Sequence, residues 1–208
     1  MKLHGHPMST CTRKVLTTLA EKGVEPDLHV VDFAKGEHKM ADHMALQPFG
    51  KLPALVDDGF VLFESRAIAK YLDEKLPGPK LHGKDAKTKA LVDQWSSVEQ
   101  SHFTPSAMKI IYAVVLGPMF GKPVDEVQLA EGRKELEIPL AILDRQLGKT
   151  KFVAGDEFTL ADIGFMPYVE YIFAGKQGDV FDSYPNFLAW WKRVSERPSW
   201  QKVTGKAN

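Results

Sequence analysis

Cysteine is almost missing from this sequence: Cys11 is the single one among 208 residues. That excludes an intramolecular disulfide framework and a Cys-x-x-Cys redox pair. A charge imbalance is missing too, since Lys plus Arg and Asp plus Glu number 27 each. Neither nucleic acid nor an anionic membrane is therefore expected as the main partner. No apolar run approaches the roughly 20 residues that a membrane-spanning helix needs. The opening Met1-Lys2-Leu3-His4-Gly5 is too short an apolar stretch for a signal peptide, and the cytoplasm is the expected location. His4, His6, His29, His43, His82 and His102 show no metal-ligand spacing, so no metal is assigned.

What is present has the composition of an ordinary soluble protein, with 44% hydrophobic and 26% charged residues, enough to bury a core in one domain or two small ones. The stretch from Pro48 to Arg66 organises the rest. Ala54 to Asp57 and Phe60 to Phe63 are short apolar runs joined by Asp58-Gly59, a strong hairpin signal. Pro53 stands at the start of the first run, where a missing N–H does no harm, and an X-Pro bond is the kind that can be cis. A cis bond there would turn the unpaired backbone groups of Leu52 outward, towards an extended peptide. After the hairpin, Glu64-Ser65 precedes helical spacing at Ile68, Ala69 and Leu72. Ser65 reads as the N-cap, giving a hydroxyl and free N–H groups at a positive helix end suited to a carboxylate. A hairpin and a capped helix would each account for one part; together they suggest a small peptide carrying a free carboxylate and a free amine.

Along the chain, the pattern is a strand to Gly5, a helix over 12–22, a strand over Leu28 to Phe33, a short helix near 41–46, the hairpin, and another helix. That order predicts a thioredoxin-like mixed sheet with helices on both faces. Leu76-Pro77-Gly78-Pro79 breaks the last helix and reads as a linker. Beyond it only helical periodicity appears. A long helix over 84–116 is expected to kink or divide at Pro105, and a second over 124–147 is interrupted by Pro139. Thr159 and Asp162 are spaced as a capping box, with Phe158 and Ile163 as its hydrophobic staple, a folding device. Trp190, Trp191 and Trp200 are expected as core anchors. The division is 1–76, a linker over 77–84, and 85–208.

Pro-Phe-Gly-Lys-Leu-Pro-Ala-Leu followed by Leu-Phe-Glu-Ser-Arg-Ala-Ile resembles the glutathione-binding core of the cytosolic glutathione S-transferases, most of all their phi class, and the Thr159–Asp162 motif is a mark of the same family. The resemblance covers the whole chain and implies a thioredoxin-like α/β domain followed by an all-α domain. It implies a cis Pro53, with Leu52 pairing with the cysteinyl backbone of glutathione. Glu64 and Ser65 would hold the γ-glutamyl end, and His38, Lys39 and Lys51 the glycyl carboxylate, although Lys51 stands where the class often has glutamine. Glutathione is then a co-substrate and no other cofactor is expected.

By the same resemblance a small hydrophobic electrophile, the second substrate, would lie between the domains, nominating Met8, Phe33, Phe103, Ala107 and Ile110; each fits core packing about as well. Phe49 is expected to reach into a partner subunit of a homodimer. The phi-class serine falls on Ser9, after Gly5-His6-Pro7-Met8, with Thr10 as a weaker substitute. The expected activity is attack of the glutathione thiolate on hydrophobic electrophiles, with hydroperoxide reduction as a companion. The alternatives are a cysteine-type thiol transferase using Cys11 and a non-catalytic binding module of the same fold.

Overall fold

In the computed structural model, which describes residues 1–206, Asp58 and Gly59 both take positive φ, 49° and 86°, as a two-residue turn between twisted strands requires. They join β3 (Ala54–Asp57) to β4 (Phe60–Phe63), the strands expected from the sequence. Ala54 pairs with Phe63 on one side and with His4 of β1 (Lys2–Gly5) on the other. β2 (Leu28–Val30) runs parallel to β1, giving the order β2-β1-β3-β4. β2 is shorter than the expected Leu28 to Phe33. Asp32 ends it by accepting from Ala34 N at 2.8 Å and Lys35 N at 3.3 Å, a local turn that competes with the ladder.

Leu3 and Leu55 of the sheet, Val15, Leu16 and Leu19 of α1 (Thr10–Glu21), and Ile68 and Leu72 of α3 (Ser65–Lys75) form the core of this unit. Because strand side chains alternate, His4 lies on the opposite face, where α2 (Ala41–Leu46) and a cavity lined by His4, His29 and His43 are found. Lys22 and Asp73 form an ion pair at 2.7 Å with both side chains out of solvent. Lys22 also donates to Pro79 O at 2.7 Å, and Asp73 accepts from Leu81 N at 2.9 Å. This network pins residues 79–81 to the first unit, so the segment read as a linker is held by it.

The chain divides into Met1–Leu81 together with the stretch from Pro198, and His82–Arg197. The expected boundary therefore shifts at the C-terminus. α10 (Pro198–Thr204) packs on α1, burying Trp200 and bonding Ser199 to Glu21 and Lys202 to Glu25. Amphipathic spacing alone does not reveal which core a short helix joins.

The second unit is helical, apart from a β-bridge between Phe152 and Gly155. The long segment expected to divide at Pro105 does so, as α4 (Ala86–Val98), a π-helical turn over Glu99–Phe103, and α5 (Thr104–Ile111). The wider turn accommodates the proline without its N–H at the start of α5. A second π turn, Tyr112–Leu116, leads to α6 (Gly117–Met119). α7 (Glu126–Leu147) contains Pro139 yet remains one helix. It crosses α5 at Gly132, where a Cβ would meet Ile110 Cγ1 at 2.9 Å. α8 (Leu160–Ala174) begins with the expected capping box, and α9 (Pro185–Ser195) follows. The Asp162 carboxylate accepts from Thr159 N at 2.9 Å, Val153 N at 2.9 Å, Trp190 Nε1 at 2.8 Å and Thr159 Oγ1 at 3.2 Å. Burial pushes its pKa up, against the pull of these bonds.

No helix among the described residues is long and apolar enough to cross a membrane.

Candidate functional site

Ser9 caps α1. Its Oγ accepts from Thr12 N at 3.3 Å, and its backbone lies in the extended region. The turn ahead of it is braced on every side. Ser9 N donates to His6 O at 2.9 Å, Met8 N to His6 Nδ1 at 3.1 Å, and His6 N to Thr12 Oγ1 at 3.3 Å. The buried Arg13 donates from Nε to Pro7 O at 2.8 Å, placing a guanidinium against the turn. A Cβ on Gly5 would stand 2.7 Å from Thr12, so only glycine lets β1 end this close to α1. Thr10 and Cys11 open α1 behind Ser9, and Cys11 is a half-buried free thiol.

The loop before β3 is clamped from α2 and the residue after it. Gln47, itself buried, accepts at Oε1 from Phe49 N at 2.7 Å and Lys51 N at 3.2 Å. His43 Nε2 bonds Lys51 O at 2.8 Å. The Leu52–Pro53 peptide is cis. Leu52 buries its side chain, and its N–H and C=O take no hydrogen bond among the described residues. Gly50, with φ +59°, has no room for a Cβ, which would meet His38 O and Lys39 Nζ at 2.8 Å. That contact draws the His38-Lys39 turn against the loop, and Lys39 Nζ donates to Phe49 O at 3.2 Å. Lys51 is exposed. His38, Lys39 and Lys51 thus belong to one turn-and-loop pair. Burial, followed by the nearby Lys39 and His43, lowers the His38 pKa.

Ser65 is not the N-cap of α3. Glu64 holds that position with φ 71° and makes no side-chain cap bond, while Ser65 is the first helical residue, buried. Its hydroxyl makes no hydrogen bond among the described residues. The strand register brings the three pieces together. Because Ala54 lies between His4 and Phe63, the chain leaving β1 towards Ser9 runs beside Pro53 and Leu52, and the chain leaving β4 runs beside them into Glu64 and Ser65.

The residues nominated for the electrophile separate into two groups. Met8 and Phe33 are exposed on the first unit. The Phe33 ring lies 4.8 Å from His38 and 5.9 Å from His6. Phe103, Ala107 and Ile110 are each 0% exposed. Phe103 packs on Phe165 at 5.0 Å and Tyr168 at 6.4 Å, and Ile110 abuts Gly132. They belong to the helical core, because their spacing follows the face that α7 and α8 cover. Phe49 is 61% exposed, with one edge-on ring contact to Phe63 at 6.1 Å. Sequence reasoning missed the clamps: His43, Gln47 and Arg13 carry no motif, and only the fold shows what they hold.

A thioredoxin-like unit with an open peptide edge at a cis-proline, joined in one chain to an all-helical unit, defines the class of fold. The family model for the glutathione S-transferase N-terminal domain matches residues 1–74, and that for the C-terminal domain matches 103–198. A probable glutathione S-transferase of Oryza sativa subsp. japonica is 39% identical over 204 residues, covering 98% of this chain and 95% of its own. The crystal structure of glutathione transferase F7 from Populus trichocarpa superposes with a TM-score of 0.94 at 37% identity, over 100% of this chain and 99% of that one. Glutathione S-transferase I from mais, solved with an atrazine–glutathione conjugate, gives 0.91 at 36% identity, over 99% and 96%. The chain belongs to the glutathione S-transferase family, in its phi class.

Proposed function

We propose that this protein joins the thiol of glutathione to small hydrophobic electrophiles, with Ser9 holding the thiolate. The observation that carries the reading is the convergence at Ala54 of the Ser9 turn, the open Leu52 edge and the Glu64-Ser65 helix start. The cysteinyl backbone of the tripeptide pairs with Leu52. Its γ-glutamyl end meets Glu64, which takes the amine, and Ser65, which takes the carboxylate at a helix N-terminus. Its glycyl carboxylate meets His38, Lys39 and Lys51.

A free thiol has a pKa of about 8.5, so a shift of two units requires about 2.7 kcal/mol of preference for the thiolate. A hydroxyl bond to a charged acceptor contributes about 1.5–3 kcal/mol, and a helix N-terminus about 0.3–1. These terms suffice. Ser9 Oγ already accepts from α1, so its O–H is left to donate, and accepting one bond strengthens the other. Ser9 stays protonated while the glutathione sulfur attacks the electrophilic carbon and displaces the leaving group. The same thiolate reduces a hydroperoxide to its alcohol, with a second glutathione completing the disulfide and releasing water. The electrophile meets Met8 and Phe33 beside the thiol. We read the protein as cytoplasmic and homodimeric, with Phe49 as the contact, because an aromatic ring this exposed is an apt interface anchor.

Conjugation of glutathione to chlorodinitrobenzene tests the reading. Ser9→Ala is expected to lose most of kcat/KM, roughly 100-fold, the cost of one preorganised donor to an anion, and to move the pH profile upward, while Cys11→Ala retains activity. An essential Cys11 with a dispensable Ser9 would instead mean a thiol transferase. Phe49→Ala is expected to sediment as a monomer at micromolar concentration; an unaltered dimer would remove Phe49 from the contact.

A further inference from the structure

We infer that His43 is a positioning residue for this site, aiming the Leu52 N–H at the bound peptide; the inference rests on the glutathione reading above. His43 lies on α2, buried on the sheet face away from the main core. Its Nε2 stands 2.8 Å from Lys51 O. A carbonyl only accepts, so that nitrogen carries the hydrogen. The Lys51 C=O and the Leu52 N–H belong to one planar unit, and in a trans peptide they point in opposite directions. The cis bond of this loop is the next one, Leu52–Pro53. Holding the Lys51 oxygen inward on His43 therefore turns the Leu52 hydrogen outward, where it takes no bond among the described residues. Gln47 secures the other end of the same residue through Lys51 N.

Without the imidazole donor, Lys51 O would lose the hydrogen bond that holds it inward. The peptide plane would be free to rotate, and an N–H bond weakens steeply with misalignment. His43 Nδ1 is buried without a partner, which leaves Nε2 as the working end of the ring. His4 and His29 line the same cavity, and neither makes the bond to the loop.

The N–H of Leu52 can pair only with an acceptor, here the cysteinyl carbonyl of the ligand, and the test removes each end of that chain in turn. Calorimetry compares glutathione with its (E)-alkene isostere at the cysteinyl–glycine bond, which lacks the carbonyl. Wild-type protein is expected to bind the isostere about tenfold more weakly than glutathione. His43→Leu is expected to bind glutathione about tenfold more weakly than wild type and to distinguish the two ligands by less than twofold. His43→Gln, whose side-chain amide reaches the Lys51 oxygen, is expected to restore the tenfold distinction. If His43→Leu does not fold, His43→Asn, too short to reach, takes its place. An undiminished tenfold distinction in the Leu or Asn variant would overturn the inference alone. Wild-type protein that does not bind glutathione would overturn the function reading and the inference with it.

Discussion

The helix starts of the two units are finished in opposite ways. At α8, Thr159 and Asp162 satisfy each other, and Asp162 collects four donors including the indole of Trp190. At α3, Glu64 caps with an unfavourable positive φ and no side-chain bond, and the Ser65 hydroxyl goes unused. The chemistry available to both ends is the same: free N–H groups, a hydroxyl and a carboxylate within a few residues. Where the chain satisfies those groups itself, the end serves folding. Where it leaves them open beside an unpaired peptide edge, as at α3, the end is the one proposed above to take glutathione. Ser9 stands between the two, accepting from α1 while keeping a donor in hand.

The contrast can be broken most sharply at Asp162. Asp162→Ala leaves several buried donors unpaired and is expected to cost about 3–5 kcal/mol of stability. Urea unfolding checks this, with the m-value unchanged. A loss below 1 kcal/mol would mean that the closed cap is not a folding device. Ser65→Ala should do the reverse. It is expected to weaken glutathione binding by about 1–3 kcal/mol, the range for a bond to a charged group, with little change in Tm. Calorimetry at matched folded fraction separates the two effects, and unchanged affinity would take Ser65 out of the site.

The proposed glycyl-carboxylate contact at His38 has a smaller signature in protons. Burial holds the His38 pKa below the ordinary imidazole value. As pH falls through that value the unfolded chain takes up the proton first, so His38 lowers stability on the acid side. A carboxylate placed against the ring reverses this by favouring the charged form. Glutathione binding near pH 6 is therefore expected to take up a fraction of a proton, and His38→Gln to abolish that uptake. Calorimetry in buffers of different ionisation enthalpy reads it directly. Identical uptake in the variant would exclude His38 from the carboxylate contact.

How much of this was legible in the sequence follows the same division. Local chemistry was readable: Asp58-Gly59 set the hairpin, Thr159 and Asp162 the closed cap, and Pro105 the break in the first long helix. Contacts across the fold were not. Ser65 looked like a cap because its type and position fit one, but the strand pairing at Phe63 delivers the chain one residue earlier. For Phe103, Ala107 and Ile110 the sequence left pocket wall and core packing about even, because a helix's apolar stripe does not say what it faces; all three are buried in the helical core. The Glu64-Ser65 and Lys-Leu-Pro motifs mark the groups proposed to meet glutathione, whereas His43 of α2 and Gln47 just after it, which bond the loop around Lys51, carry no motif.

The seat of α10 has a consequence for how the protein is made. The first unit holds every group assigned to glutathione, yet its α1 is covered by a helix whose Ser199 lies 178 positions from its partner Glu21. As the chain emerges from the ribosome, the sheet and its helices come first and the whole helical unit follows. Trp200, wholly buried in the folded chain, emerges only after that unit. Long sequence separation makes such a contact late to form, and an incomplete unit leaves apolar surface exposed meanwhile. A ribosome that stalls before Pro198 releases a chain containing all of these binding groups but lacking the helix that covers α1. Native closure of the first unit thus waits until translation has passed α10.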